Sequence, residues 1–426
     1  MTNSGSTLGT KFQVIMGKFS TNQFLSAIAN GMIRILPITM VGSLCAILAN
    51  LGFPGYKEFV ERIGVSDVLT LGVTMTTNLI SVYVLVALAY ELAKNLNESS
   101  ISAIVISVMS FFILTPLNSF KVAKNTVSAL DISYLGSKGM FVAMVVALFT
   151  TWLYSFLTKK HITITLPASV PPSVANSFSA LIPAIIIGGL DLVIAGIMRA
   201  TSFGNVHDLV YTLLQTPLQH IGGSIWALLF LMFFSEVLWF FGIHGSLATS
   251  AILYTLYQPL ELENLAAFAH GQALPNIITM TFVNTLKGPR HFALALLLLL
   301  ICHSQHMKAV GKVAIVPSFF GISEPMKFGI PMVLNPVLFV PMALAPVISI
   351  GLAYITTILG WIPRVNGVTF PWNIPFLSGL VVGDWRTGVL QLVQVAVVMV
   401  LYYPFIRILD RESLTEEAQF AKEAAV

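Results

Sequence analysis

The sequence predicts an all-α integral membrane protein of about ten transmembrane helices, with re-entrant hairpins and amphipathic interfacial helices. Three observations predict it. Of the 426 residues, 56% are hydrophobic and only 9% charged, with a mean hydropathy of +0.86, whereas soluble domains carry roughly 25% charged residues. Charge-free runs long enough to span a bilayer, at roughly 20 residues per span, recur along the chain. Several later runs are interrupted by Gly, Pro and single charges. Bent backbone of that kind is tolerated at membrane depth only where it is buried in protein or lines a watery cavity.

Residues 11–30 set Lys11, Lys18, Phe12, Val14, Ile15, Phe19, Phe24 and Leu25 at helical spacing. That pattern predicts an amphipathic surface helix with its lysines on the cytoplasmic side. The first twenty or so residues lack the short apolar core of a cleaved signal peptide. Spans are expected over 35–56, 68–90, 99–117, 139–157 and 178–198, separated by the polar connections Lys57 to Asp67, Glu91 to Glu98, Lys121 to Asp131 and Lys159-Lys160-His161. Lys159 and Lys160 agree with a cytoplasmic N-terminus. Lys121 and Lys124 then fall outside, in a connection expected to dip along the surface. The Pro- and Ser-rich segment 162–177 reads as an extended approach that carries Asn176 to the fifth helix. Asp191, near Gly188, Gly189 and Gly196, is expected to pack against a neighbouring helix.

The second half is less regular. Residues 203–221 read as an interfacial helix, and 222–258 as one long run with Glu236 its only charge and His244 its other titratable group. Pro275, Asn284, Lys287, Gly288, Pro289 and Arg290 break the next stretch, which predicts a re-entrant hairpin and then a helix at 292–302. After residues 319–331 come a span at 332–360, a loop from Arg364 to Pro375, a last span near 387–406 and a short cytoplasmic helix from Arg407. No soluble domain is expected on either side, so a soluble catalytic partner is expected to be a separate chain.

Composition also excludes function classes. The net charge of +4 is scattered without a basic block, which argues against nucleic acid. Cys45 and Cys302 lie in apolar runs and read as buried free thiols, with no disulfide scaffold. His291, His303 and His306 have no carboxylate or thiolate at ligand spacing, so no metal is expected. No Walker A loop, nucleophile elbow or Rossmann pattern occurs, and no cofactor is implied.

Two places stand out. Glu324 lies among Gly321, Pro325, Gly329 and Pro331, and an acid at a bent intramembrane segment is a binding-site candidate. His244 lies between Gly242 and Gly245, where a helix loosens and a ring nitrogen can face a cavity. Glu236, about 80° away around an ideal helix, either shares that cavity or serves as a structural partner. Asn176 offers donors and an acceptor suited to a sugar hydroxyl. Trp372 offers either a face for a sugar ring or an interfacial belt residue. Asn284 and Lys287 are weaker candidates, the lysine also being able to snorkel to the headgroups. Lys327, three residues after Glu324, is expected to pair with it and hold it ionised. One carboxylate, one imidazole, a few amides and an aromatic face suit a small polyhydroxylated ligand.

Four motifs then carry a family resemblance: Ala27-Ile28 with Pro37-Ile-Thr-Met-Val-Gly42-Ser43, Pro171-Pro172-Ser-Val-Ala-Asn176-Ser-Phe178, Trp239-Phe-Phe-Gly-Ile-His244-Gly245, and Glu324-Pro325 with Phe328-Gly329-Ile-Pro331 and Asn335-Pro336. The chain resembles enzyme IIC, the membrane sugar permease of the bacterial phosphoenolpyruvate-dependent phosphotransferase system, in its lactose/cellobiose (diacetylchitobiose) branch. The resemblance implies a homodimer in the cytoplasmic membrane, with a domain over 1–200 at the interface, a substrate-binding transport domain over 201–410 and a cytoplasmic tail over 411–426. The transport domain would move the sugar by alternating access. It implies that Glu324 and His244 meet the sugar hydroxyl that is phosphorylated from a phosphocysteine on a separate IIB protein, itself fed by IIA. Asn176 would contact the sugar and Trp372 would stack on it. The chain departs from the branch at Asn284-Thr-Leu-Lys-Gly-Pro289, where a Gly-Ser-Gly-rich stretch is usual, and at Gly321-Ile-Ser-Glu324-Pro325, which is closer to the glucose branch. A proton-coupled secondary transporter using Glu324 and His244 as a proton relay, or a non-transporting sugar sensor, are the alternatives.

Overall fold

A computed structural model describes residues 22–51, 55–122, 125–167, 169–330 and 332–423. Most of the expected surface helix, including Lys11 and Lys18, lies outside the described residues, as do Lys124 and Pro331. The protein is mostly helical. It also holds one β-hairpin, in which Leu117–Val122 pairs antiparallel with Asn125–Leu130, Leu117 opposite Leu130. The all-α expectation is corrected there. The alternation of Phe120, Val122 and Val127 with polar neighbours has a period of two, which suits a strand better than a helix. Asp131 follows the hairpin and caps the helix Ile132–Leu135. Its carboxylate accepts from the Ser133 N–H at 2.9 Å, which holds the carboxyl below its usual range.

Among the described residues six helices are long and apolar enough to cross a membrane: Gln23–Ala49, Val65–Leu96, Ser137–Lys159, Ser173–Arg199, Pro336–Ile358 and Trp385–Glu423. A seventh arises if Val206–Gly222 and Ile225–Phe240, bent by 74°, form one span. Other apolar runs are cut into shorter pieces. The run expected over 222–258 is two helices, Ile225–Phe240 and Gly245–Ala269, parted by a turn in which Gly242 takes φ +80°. The final span and the tail are one helix of 39 residues, roughly 58 Å at 1.5 Å per residue, so one end projects beyond a hydrocarbon core of about 30 Å.

The chain divides into two compact units. The first takes described residues 22–221 and Ser250–Ala273. Its core gathers Val84, Leu85, Leu88, Phe111, Met140 and Ala147. A side chain at Gly31 would strike Leu88, so the glycine lets the helix Gln23–Arg34 lie close against Ile80–Leu96. Glu91, expected in a polar connection, is instead buried inside Ile80–Leu96 and paired with Arg34. Asp191 is buried on the helix Pro172–Arg199, which packs Ala180 and Ile187 against Ala103 and Ile106 of Ser100–Leu114. Ile185, Leu192, Val193 and Ile197 of the same helix are exposed, as an apolar solvent requires.

The second unit takes Gly222–Thr249 and Leu274–Val426. Trp239, Leu294, Leu298, Met307, Met326, Leu338, Met342, Tyr402 and Ile406 form its core. The long last helix anchors this unit. Asp410 accepts from the backbone N–H groups of His303 and Ser304, and Glu417 accepts from Ser304 Oγ and His306 N–H. These carboxylates satisfy donors that the start of the helix Gln305–Phe319 leaves open.

Candidate functional site

The site in the second unit is made by two helix ends of the same design. Ile225–Phe240 finishes with the Gly242 N–H on the Trp239 carbonyl and the Ile243 N–H on the Leu238 carbonyl, Gly242 supplying the left-handed residue that such a stop favours. His244 then opens the next helix. Its carbonyl receives the Ala248 N–H at 3.0 Å, and its Nδ1 receives the Leu247 N–H at 3.2 Å. The imidazole is therefore the cap of Gly245–Ala269, and an accepting Nδ1 assigns the proton of the neutral ring to Nε2.

Gln305–Phe319 ends likewise, with Gly321 at φ +89° and the Gly321 and Ile322 N–H groups on the Ser318 and Pro317 carbonyls. The short helix Glu324–Gly329 starts at once, with Pro325 in its first turn where a missing N–H costs nothing. Glu324 Oε2 takes the Ser323 N–H at 3.0 Å, which leaves Oε1 directed at His244 Nε2, 3.6 Å away. The two side chains keep 39% and 48% of their surface accessible. A donor and an acceptor thus face each other with room for one hydroxyl to be held by both.

Residues 29–346 match the family model described as "Phosphotransferase system, EIIC". The chain belongs to this family. It is 32% identical to the oligo-beta-mannoside-specific EIIC component of Bacillus subtilis (strain 168), over 96% of this chain and 94% of that one. It is 29% identical to the lactose-specific EIICB component of Staphylococcus aureus (strain COL), over 94% of this chain and 71% of that longer one. A crystal structure of the IIC component from the N,N'-diacetylchitobiose-specific phosphotransferase system superposes with a TM-score of 0.89 at 32% identity, covering 95% of this chain and 98% of that chain. The protein is thus an integral membrane permease component of a sugar phosphotransferase system.

Within this EIIC chain the other candidates fall into separate groups. Lys327 does not pair with Glu324. It is buried to 3%, binds Glu236 at 3.3 Å and lies 3.8 Å over the Trp239 ring. Glu236, buried to 2%, also takes Arg290 Nη1 at 2.7 Å. A desolvated carboxylate holds a buried ammonium far better than a half-exposed one does, so the spacing of three residues loses to burial. Lys287 is half-buried near this pair. Asn284 is exposed at the end of Met280–Leu286, ahead of the turn at Gly288, φ +80°.

Trp372 is 52% exposed and sits edge-on to Phe370. It is tied to the Glu324 corner through its neighbour: the Asn373 N–H donates to the Phe320 carbonyl, and Asn373 Nδ2 to the Asn284 carbonyl at 3.3 Å. Asn176 lies exposed near the start of Pro172–Arg199 and belongs to the first unit. The other seven candidates belong to the second. Arg290, Asn373, Gln391 and Gln394 escaped the sequence reading. The two glutamines, three apart in an otherwise apolar run, were the available signal, since amides inside spanning helices act as polar glue. Among the described residues no group of three or more His, Cys, Asp or Glu side chains is placed to hold a metal ion. Cys45 and Cys302 are both free.

Proposed function

We propose that this EIIC chain binds a β-linked disaccharide, carries it across the bacterial cytoplasmic membrane and presents one hydroxyl to a IIB protein. The observation that carries the reading is the 3.6 Å approach of His244 Nε2 to Glu324 Oε1 in an accessible corner. The relatives, named for oligo-beta-mannoside, lactose and diacetylchitobiose, support the sugar class, and the EIICB relative supports a IIB partner. In the transfer step the sugar oxygen attacks phosphorus on the IIB phosphocysteine. An O–P bond forms, the S–P bond breaks with the thiolate leaving, and the hydroxyl proton passes to Glu324. His244 donates to the same oxygen and orients it, and Trp372 and Asn284 complete the sugar contacts. The short apolar helices raise the crossings to about ten, and two copies pair through their first units.

The test is Glu324→Gln in purified protein. The amide still accepts a hydrogen bond, so sugar binding is expected to stay within a few fold. Phosphorylation by phospho-IIB should fall by at least about 10²-fold, the lower end for a lost general base. Phosphorylation at the wild-type rate would remove Glu324 as the proton acceptor.

A further inference from the structure

Behind His244 and Glu324 stands a buried chain of contacts. Arg290 Nη1 lies 2.7 Å from Glu236, Lys327 Nζ 3.3 Å from Glu236 and 3.8 Å from the centre of the Trp239 ring, and that ring 4.3 Å from the His244 ring. Glu236 and Trp239 are three apart on Ile225–Phe240, hence on one face, which is why one ammonium reaches both. Lys327 shares the six-residue helix Glu324–Gly329 with Glu324. Its ammonium therefore fastens the helix carrying the carboxylate to the helix Ile225–Phe240, which ends four residues before His244.

Charge balance does not require this lysine. Arg290 already matches Glu236, so Lys327 is a surplus cation at 3% exposure, and burying an ammonium is costly unless its contacts return the desolvation. Its ammonium meets the Glu236 carboxylate and the Trp239 face, both on the opposing helix. A desolvated cation over the tryptophan face is held by the ring's quadrupole. We infer that Lys327 is a positioning residue: its clamp on Glu236 and Trp239 sets the distance and ring angle between His244 and Glu324, and it does so without touching the sugar. The inference rests on the reading of the His244–Glu324 corner as the sugar site and adds the part that holds it in register.

The experiment measures sugar affinity of the purified full chain in detergent, without IIB, by calorimetry with cellobiose, lactose and N,N'-diacetylchitobiose, keeping the tightest binder. Lys327→Met leaves Glu236 matched by Arg290 and keeps the buried volume. It should weaken affinity roughly 10-fold, and Lys327→Arg, which keeps a cation over the ring, should recover most of that. In a His244→Asn background Lys327→Met should cost no more than about 2-fold, because groups acting through one another are not additive. Equal losses in both backgrounds, or wild-type affinity in Lys327→Met, would overturn the clamp. Should Lys327→Met not fold, Trp239→Phe carries the same test, with the same loss and the same non-additivity expected. If His244→Asn alone leaves affinity unchanged, the site and the clamp fall together. If His244→Asn weakens binding and Lys327→Met does not, the clamp falls alone.

Discussion

Gln391 Nε2 donates to the side-chain oxygen of Asn373 at 3.1 Å, joining the long last helix to a loop 18 residues earlier in the chain. The same amide accepts the Gly379 N–H at 2.8 Å and donates to the Thr285 carbonyl at 3.3 Å. One fully buried side chain thus fixes the loop that borders the Glu324 corner, the helix Leu377–Val382 and the end of Met280–Leu286. Gln391→Leu fits the space and orphans all three partners. It should lower stability by roughly 2–6 kcal/mol, at about 1–3 kcal/mol for each of the two buried backbone groups left unmet. Thermal melting of the purified protein in detergent reads it, and an unshifted transition would show the amide to be idle.

His244 has two separable duties, as a helix cap and as a sugar contact. Asparagine caps well, whereas alanine does not and costs about 1 kcal/mol. His244→Asn should therefore melt like the wild type and still lose roughly 10-fold or more in sugar affinity, the scale of a hydrogen bond to a polar ligand. His244→Ala should lose both. Equal sugar binding in the wild type and the Asn variant would leave the imidazole a cap only.

Gly321 sits at φ +89° with Asn373 Cβ 3.0 Å from where its own Cβ would be. Gly321→Ala should cost about 1–2 kcal/mol in backbone strain and shift the corner that bears Glu324, so melting and sugar affinity both fall. Gly189→Ala is the control: nothing lies within 4 Å of the added methyl and the residue is helical. There, helix propensity predicts unchanged or higher stability, by up to about 1 kcal/mol. Similar losses at both sites would dismiss the conformational argument.

Arg34 is the ion-pair partner of Glu91, whose side chain is 3% exposed. Arg34→Met should cost roughly 1–3 kcal/mol by leaving a buried carboxylate unmet, less than in a fully buried pair because Arg34 is half exposed, and adding Glu91→Gln should return much of it. A double variant no more stable than Arg34→Met would refute this account of the first unit.

Glu324 and His244 were legible because each is a polar group in an apolar run beside a glycine that later proved to be left-handed. That they meet was not legible from spacing, since 80 residues intervene and only the two helix ends bring them together. Lys327 shows the limit from the other side. Local spacing pointed it at Glu324, and burial turned it to Glu236, a preference that depends on which carboxylate is out of water. The hairpin Leu117–Val122 with Asn125–Leu130 displayed its alternation openly but was masked by its charges. Gln391 and Gln394 were visible as residues, while the carbonyls they satisfy come from chain segments that sequence order keeps far apart.

The Leu247 N–H that occupies His244 Nδ1 gives the corner a polarity: the ring can only give a proton bond there, and the carboxylate can only take one. A ligand oxygen seated between them must therefore do both at once, as an alcohol does. An O-methyl ether at the reacting position would satisfy the ring and offer the acid no donor. On the proposed reading of this corner, the fold would discriminate the reacting group itself, before any choice is made among sugars.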